Sequence, residues 1–354
     1  MPKYKSRLLI ALLAICTGAV VWVSMLSRSD GEALVVCSFG GSFQESQRKA
    51  FYEPFSRASG VVMREASYSG EYSKIKAMVE SGQVTWDIVD VEDAVMLLGV
   101  KEGMYELIDY NTVDRRPLFD SDVNPYGVGA NVYSTVLAFS TEVYPSSARQ
   151  PKTWEDFWDV DRFPGPRALR NSPMCTLEFA LIADGVPLDE LYPLDVERAF
   201  RKLDEIKRHV TVWWTTGQQP VQLLANKEVV ITSAWSGRIW NARNIAHIPL
   251  AMSWEGGLME PEWWVVPKGS RNRDIAMRFI AFAAKPRPQA EMARLFGVGP
   301  TNREAFDYIS EELMAELPTA PDNLRKHRRL GSAWWAENRS RLQEIWDKWL
   351  LEKK

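Results

Sequence analysis

Carboxylates gathered at the ends of apolar runs are the residues best placed to do chemistry in this chain. Asp90, Glu92 and Asp93 close the run Trp86-Asp87-Ile88-Val89, and Glu260 and Glu262 flank Pro261 just before Trp263-Trp264-Val265-Val266. Acids at such places either stand in solvent, cap a following helix, or turn inward to meet a cation. Rings accompany them: Phe39 and Phe43 around Gly40-Gly41, Trp235 before Ser236-Gly237, and Trp254 upstream of Glu260. Rings with acids at their ends suit an organic ammonium. Such a group cannot leave water without a charged partner, and an aromatic face contributes about 0.5–2 kcal/mol to holding it. Arg170 and Arg238 point the other way, since either could receive a carboxylate.

Other chemistries are excluded by what the chain lacks. There is no GxSxG, no Walker A loop and no GxGxxG after a strand. His209, His247 and His327 are isolated and no CxxC or HExxH occurs, so neither a metal nor another cofactor is expected. Lys+Arg 43 against Asp+Glu 46 leaves a net charge of −3, which gives no global bias toward nucleic acid.

The acids and rings must be positioned by strands and helices. Leu34 to Phe39 reads as a buried strand that turns through Gly40-Gly41 into a helix over 43–58, with Ser42 as N-cap and Glu45 completing a capping box. Strands near 61–65 and 86–91 and a helix near 71–80 complete a βαβαβ unit, which implies a parallel sheet. The ligand edge of such a sheet holds both Gly40-Gly41 and the Asp90–Asp93 cluster. A strand over 132–140 follows. Then come a helix opened by Thr153, a short strand over 167–170, helices near 176–183 and 195–208, and a strand over 229–235. The chain returns with a strand over 263–267 and a helix over 273–284 that Pro286 and Pro288 break. Thr301 or Asn302 caps the next helix, and an amphipathic helix over 333–351 ends the chain. At 354 residues the chain suits two α/β lobes. Their expected extents are 33–139 with 263–305, and 140–262 with 306–354.

The N-terminus carries Lys3, Lys5 and Arg7 before an apolar run from Leu8 to Leu26. As a helix this run spans roughly 28 Å, about a bilayer core. Residues 1–32 therefore read as an export signal or a retained membrane anchor, and the body lies outside the cytoplasm. Cys37 and Cys175 could pair there, while their apolar and turn contexts favour buried thiols.

These features together resemble the bacterial periplasmic solute-binding proteins of ABC importers, in particular the spermidine/putrescine-binding class. The resemblance rests on the order of Gly40-Gly41-Ser42, Gln47 to Phe51, Trp86-Asp87-Ile88-Val89, Trp154 to Trp158, Ser233-Ala234-Trp235-Ser236-Gly237, Gly299-Pro300-Thr301-Asn302 and Pro318 to Pro321. It implies two mainly parallel α/β lobes joined by hinge strands, closing on a solute that passes to membrane permease subunits. Such a protein works as a monomer without cofactor or catalysis. Carried over, Trp235 matches a ring that stacks on polyamine, Phe39 a second aromatic, and Glu262 an acid that meets an amine. The chain departs from the class at Asn171-Ser172-Pro173-Met174-Cys175, where two carboxylates are usual, at Glu260 in a tryptophan position and at Val298 in a tyrosine position. The expected binding set is Phe39, Gly41, Ser42, Asp90, Glu92, Asp93, Ser172, Trp235, Trp254, Glu260 and Glu262, around a cationic amine. The rival readings are a secreted hydrolase or transferase that works through carboxylates, and a membrane-tethered ligand sensor.

Overall fold

The computed structural model describes residues 33–352, so the expected signal or anchor over 1–32 lies outside the described residues. Among the described residues no helix is long and apolar enough to cross a membrane. The first strand, β1 (Ala33–Ser38), runs through Gly40-Gly41 into α1 (Gly41–Gln47). A π-turn over Arg48–Tyr52 continues this helix into α2 (Glu53–Ser59), which Gly60 ends in the left-handed conformation. Then follow β2 (Val62–Ser67), α3 (Tyr72–Ser81), β3 (Ile88–Glu92) and α4 (Asp93–Glu102).

The middle of the chain comprises β4 (Val123–Asn124), β5 (Gly127–Ser140), α5 (Trp154–Trp158), β6 (Arg167–Arg170), α6 (Pro173–Ala183), α7 (Val196–Ile206), β7 (Val210–Trp214), α8 (Gln219–Ala225), β8 (Ile231–Trp235) and α9 (Ser236–Asn244). Last come β9 (Leu250–Val265), α10 (Arg273–Ala283), α11 (Pro286–Phe296), α12 (Glu311–Ala315), α13 (Pro321–Leu324), β10 (His327–Arg329) and α14 (Ser332–Leu351).

The main strand order is β2-β1-β3-β9-β5-β8-β6-β7. Pairing is parallel within β2-β1-β3 and within β8-β6-β7. Between these groups β9 and β5 run as long antiparallel partners, from Gly127 opposite Val265 to Ser140 opposite Leu250. Among the described residues, the two largest of five hydrophobic cores flank this pair. One gathers Leu34, Val36, Phe51, Trp264 and Phe279. The other gathers Leu137, Trp154, Leu177, Leu203, Trp335 and Trp346, together with Ala94 of α4. The fold class is thus the mixed α/β one that the residues imply.

Several local expectations need correction. Ser42 is not the N-cap of α1. Gly40 takes that position, with φ 64° followed by φ 61° at Gly41, and the side chain of Gln44 accepts from the Gly40 N–H at 3.1 Å. Positive φ is open to glycine, so the helix starts earlier than a serine cap would allow. Glu45 completes no box and pairs with Lys49 instead. Pro286 does more than follow a helix: it opens α11, where a missing N–H has no cost. The reading of Thr153 holds, because its hydroxyl accepts from Asp156 N while Asp156 bonds back to Thr153 N. Cys37 and Cys175 are both buried and unpaired.

Candidate functional site

The site is built on the β3-β9-β5 ladder. In register, Glu92 of β3 faces Glu262 of β9, and Glu262 faces Asn131 of β5. Tyr133 faces Glu260 in the same way. Residues two apart on a strand share a face, so Asp90 and Glu92 share one side with Glu260 and Glu262. Each acid finds a cross-strand partner: Asn131 Nδ2 donates to Glu262 Oε2 at 2.7 Å, and the Tyr133 hydroxyl donates to Glu260 Oε1 at 3.1 Å. Asp90 accepts from Gln47 Nε2 at 2.7 Å and Ser38 Oγ at 3.3 Å, and Gln47 is itself held by the Tyr52 hydroxyl at 2.8 Å.

Two guanidiniums come from the other half of the sheet. Arg170, at the end of β6, donates to Glu92 Oε1 at 2.9 Å. Arg238, in the first turns of α9, donates to the carbonyl of Phe39 at 3.2 Å and to Gln218 Oε1 at 3.1 Å. The Ser42 hydroxyl also donates to Gln218 Oε1, at 3.2 Å. The glycine turn is shaped for this approach, since a Cβ on Gly41 would come within 3.0 Å of Arg238 Nη1. Both guanidiniums lie over the Trp235 ring, at 5.3 Å for Arg170 and 5.6 Å for Arg238.

Between these groups lies a small hollow of about 10 Å³, room for about one water, lined by Phe39, Asn131, Tyr133, Trp235, Arg238 and Glu262, with Phe43, Phe296 and Val298 closing its apolar side. Three lining residues each hold a buried polar atom without a hydrogen-bond partner: the donors Trp235 Nε1 and Arg238 Nε, and the acceptor Asn131 Oδ1. Glu262 adds a carboxyl group. The hollow therefore offers donors to an anion and acceptors to a cation.

Burial sets the titration of these groups. It pushes Asp90 and Glu260 up to about 8, and raises Glu262 well above the usual carboxylate range, with Asp90 adding repulsion. Burial also lowers Arg238 to about 10. Four buried carboxylates, Asp90, Glu92, Glu260 and Glu262, thus stand near the buried guanidiniums of Arg170 and Arg238, with Arg339 Nη1 also 3.8 Å from Glu92 Oε2. Protons or a bound cation offset the excess.

The structure brings Phe39, Trp235 and Glu262 to the hollow itself, with Glu260 joined through Tyr133 and Glu92 through the strand row. Asp90 lies deeper on β3 and holds Ser38 and Gln47. Gly41 and Ser42 serve the turn that meets Arg238 and Gln218. Three expected residues lie elsewhere. Asp93 accepts from Trp263 Nε1 at 2.7 Å, and Trp263 alternates to the opposite face from Glu262. Ser172 caps α6 through Met174 N. Trp254 sits where β9 leaves its pairing with β5, and packs against His327 with centroids 4.8 Å apart and the rings tilted by 35°. Trp235 is also not an open stacking face, because the protein's own arginines lie over it. Asn131, Tyr133 and Gln218 were not singled out from the sequence.

Long strands shared by two separately cored α/β halves, with a charged hollow between them, define a ligand-binding protein. The model of the bacterial extracellular solute-binding proteins matches residues 50–322, and the chain belongs to that family. It is 38% identical over 330 residues to the gamma-aminobutyric acid-binding protein of Pseudomonas aeruginosa, covering 91% of this chain and 92% of that one. It is 24% identical over 339 residues to the spermidine/putrescine-binding periplasmic protein of Salmonella typhimurium, with 91% of each chain covered. The solved structure of the binding protein AgtB of A. tumefaciens R10, in complex with agropinic acid, superposes with a TM-score of 0.84 at 37% identity, covering 91% of this chain and 99% of that one. The chain is a solute receptor of the ABC-importer type and not an enzyme, so the hydrolase and transferase reading falls away.

Proposed function

We propose that this receptor takes a small zwitterion of the ω-amino acid kind, with gamma-aminobutyric acid as the leading candidate. The carboxylate is received by Trp235 Nε1 and Arg238 Nε, and the ammonium by Glu262 and Asn131 Oδ1. The observation that carries this reading is the set of unpartnered buried atoms on one lining, donors and an acceptor together. Buried polar atoms are costly unless something bonds them. A diamine would leave both donors unmatched and bring a cation against Arg238. The relatives support the choice: one more similar chain binds gamma-aminobutyric acid and a less similar one binds spermidine or putrescine.

The excess of buried acids favours a second reading, a polyamine whose two ammoniums replace the protons on Glu260 and Glu262. Isothermal titration calorimetry with gamma-aminobutyric acid, 5-aminovalerate, putrescine and spermidine separates the two. A micromolar Kd, about −8 kcal/mol, is expected for an ω-amino acid. Tighter binding of either polyamine overturns the first reading.

We infer two lobes close to 33–139 with 263–305, and 140–262 with 306–354, with one shift at the second crossing. Ala305, Ile309 and Leu317 pack on α11, so the crossing into the second lobe falls near β10. The hinge is then β5 and β9, and solute favours closure by binding both lobes. We infer a periplasmic monomer, exported through residues 1–32 or anchored by them, that delivers its solute to permease subunits.

A further inference from the structure

The C-terminal helix α14 reaches the acidic row through Arg339 and Glu92. Trp335, Leu342 and Trp346 of α14 are buried in the second core. Two indoles fix the helix further: Trp335 Nε1 donates to Glu178 Oε1 at 2.6 Å, and Trp346 Nε1 donates to Asn171 Oδ1 at 2.9 Å. From this frame Arg339 brings Nη1 to 3.8 Å from Glu92 Oε2. The other oxygen of Glu92 is held by Arg170 at 2.9 Å. Glu92 stands on β3, which pairs with β1 and β9, while both arginines come from elements packed in the second core. Arg339 Nη1 and Glu92 Oε2 are both buried and lack any hydrogen-bond partner among the described residues. Glu92 is 1% exposed, so its charge has no recourse to water.

We propose that Arg339 is a positioning residue for solute capture. With Arg170 it grips Glu92 from two sides, so α14 draws the lobes together without touching solute. A carboxylate buried by closure needs its charge answered, and two guanidiniums on the opposite lobe answer it only when the lobes meet. This rests on the two-lobed receptor reading.

The test is a distance across the cleft. Spin labels at Lys101→Cys on α4 and Gln222→Cys on α8, in a Cys16→Ser background, report it by double electron–electron resonance, and Cys37 and Cys175 are buried away from the label. Solute-free protein is expected to show a short-distance population. Arg339→Gln should reduce it and weaken gamma-aminobutyric acid binding by about fivefold to tenfold, while Arg339→Lys keeps most of both. In a Glu92→Gln background Arg339→Gln should add nothing. The proposal is overturned by a wild-type protein with no short-distance population, by an unchanged distribution in Arg339→Gln, or by an undiminished effect in Glu92→Gln. A lowered melting temperature with the distances intact also overturns it, since it assigns Arg339 to helix packing. If gamma-aminobutyric acid does not bind at all, the solute assignment fails and the distances still decide the role of Arg339.

Discussion

Replacing Arg238 by glutamine separates the recognition of a carboxylate from that of an ammonium. The side chain is 2% exposed, so its charge is answered by the carbonyl of Phe39, by Gln218 and by whatever fills the hollow. Truncating one partner of a buried charge pair costs about 2–5 kcal/mol. The neutral amide of the variant leaves no buried cation unpaired, which returns part of that cost. The variant also loses the bond to Phe39, which links α9 to the glycine turn. The net expectation is about 3 kcal/mol, or about a hundredfold in Kd for gamma-aminobutyric acid. Putrescine should gain or hold, because removing a guanidinium beside Trp235 removes a like charge. Titration calorimetry of both ligands against wild type and Arg238→Gln reads the two changes. Equal losses for both ligands would refute the reasoning by showing that Arg238 serves closure alone. An unchanged Kd for gamma-aminobutyric acid would refute it outright.

Three further outcomes follow from the same geometry. Burial holds the Asp90 and Glu260 carboxyls at about 8, above their unfolded values, so the solute-free fold binds extra protons. Its stability is therefore fully present below about pH 4 for these groups and declines as pH rises toward about 8, while affinity for an ammonium solute received by Glu262, whose carboxyl burial also raises, climbs with pH by up to tenfold per pH unit. Paired melting and calorimetric series from pH 5 to 8.5 check both slopes, and parallel slopes would contradict the account. Trp235→Phe keeps a ring but removes the Nε1 donor. It should weaken gamma-aminobutyric acid by about 1.5–3 kcal/mol, whereas a pure stacking role predicts little change on titration. Thr153→Ala removes the cap of α5 and should cost about 1 kcal/mol in urea unfolding with no change in affinity.

The sequence made the frame legible because its signals are local. Gly40-Gly41 after an apolar run, Gly60 past a helix and Thr153 with Asp156 each act within a few residues, and each marks an element end that the structure has. Glu260 and Glu262 were legible as a pair flanking Pro261, but the strand was expected only from 263; it is the earlier start of β9, at Leu250, that puts both on one face. Asn131 and Tyr133 were not, since only the pairing of β5 with β9 sets them opposite those acids, across a sequence gap of more than a hundred residues. Trp254 misled for the complementary reason. It lies on the same strand as Glu260, but β9 leaves its partner between Ser253 and Leu258 and carries the ring to His327. Asp93 reads as part of one acidic cluster with Asp90 and Glu92, yet helix α4 begins there and turns its carboxylate to Trp263. The departure at Asn171 to Cys175 from the polyamine-binding pattern was visible in the sequence. Its meaning was not, because Arg170 beside it is drawn into the site only by Glu92 on a distant strand.

A crystal structure of the protein grown with gamma-aminobutyric acid examines the central claim most directly. It should place the carboxylate about 3 Å from Arg238 Nε and Trp235 Nε1, with the ammonium at the same distance from Glu262 and Asn131 Oδ1. The reverse orientation, or a molecule bound away from the hollow between Phe39 and Trp235, would contradict it.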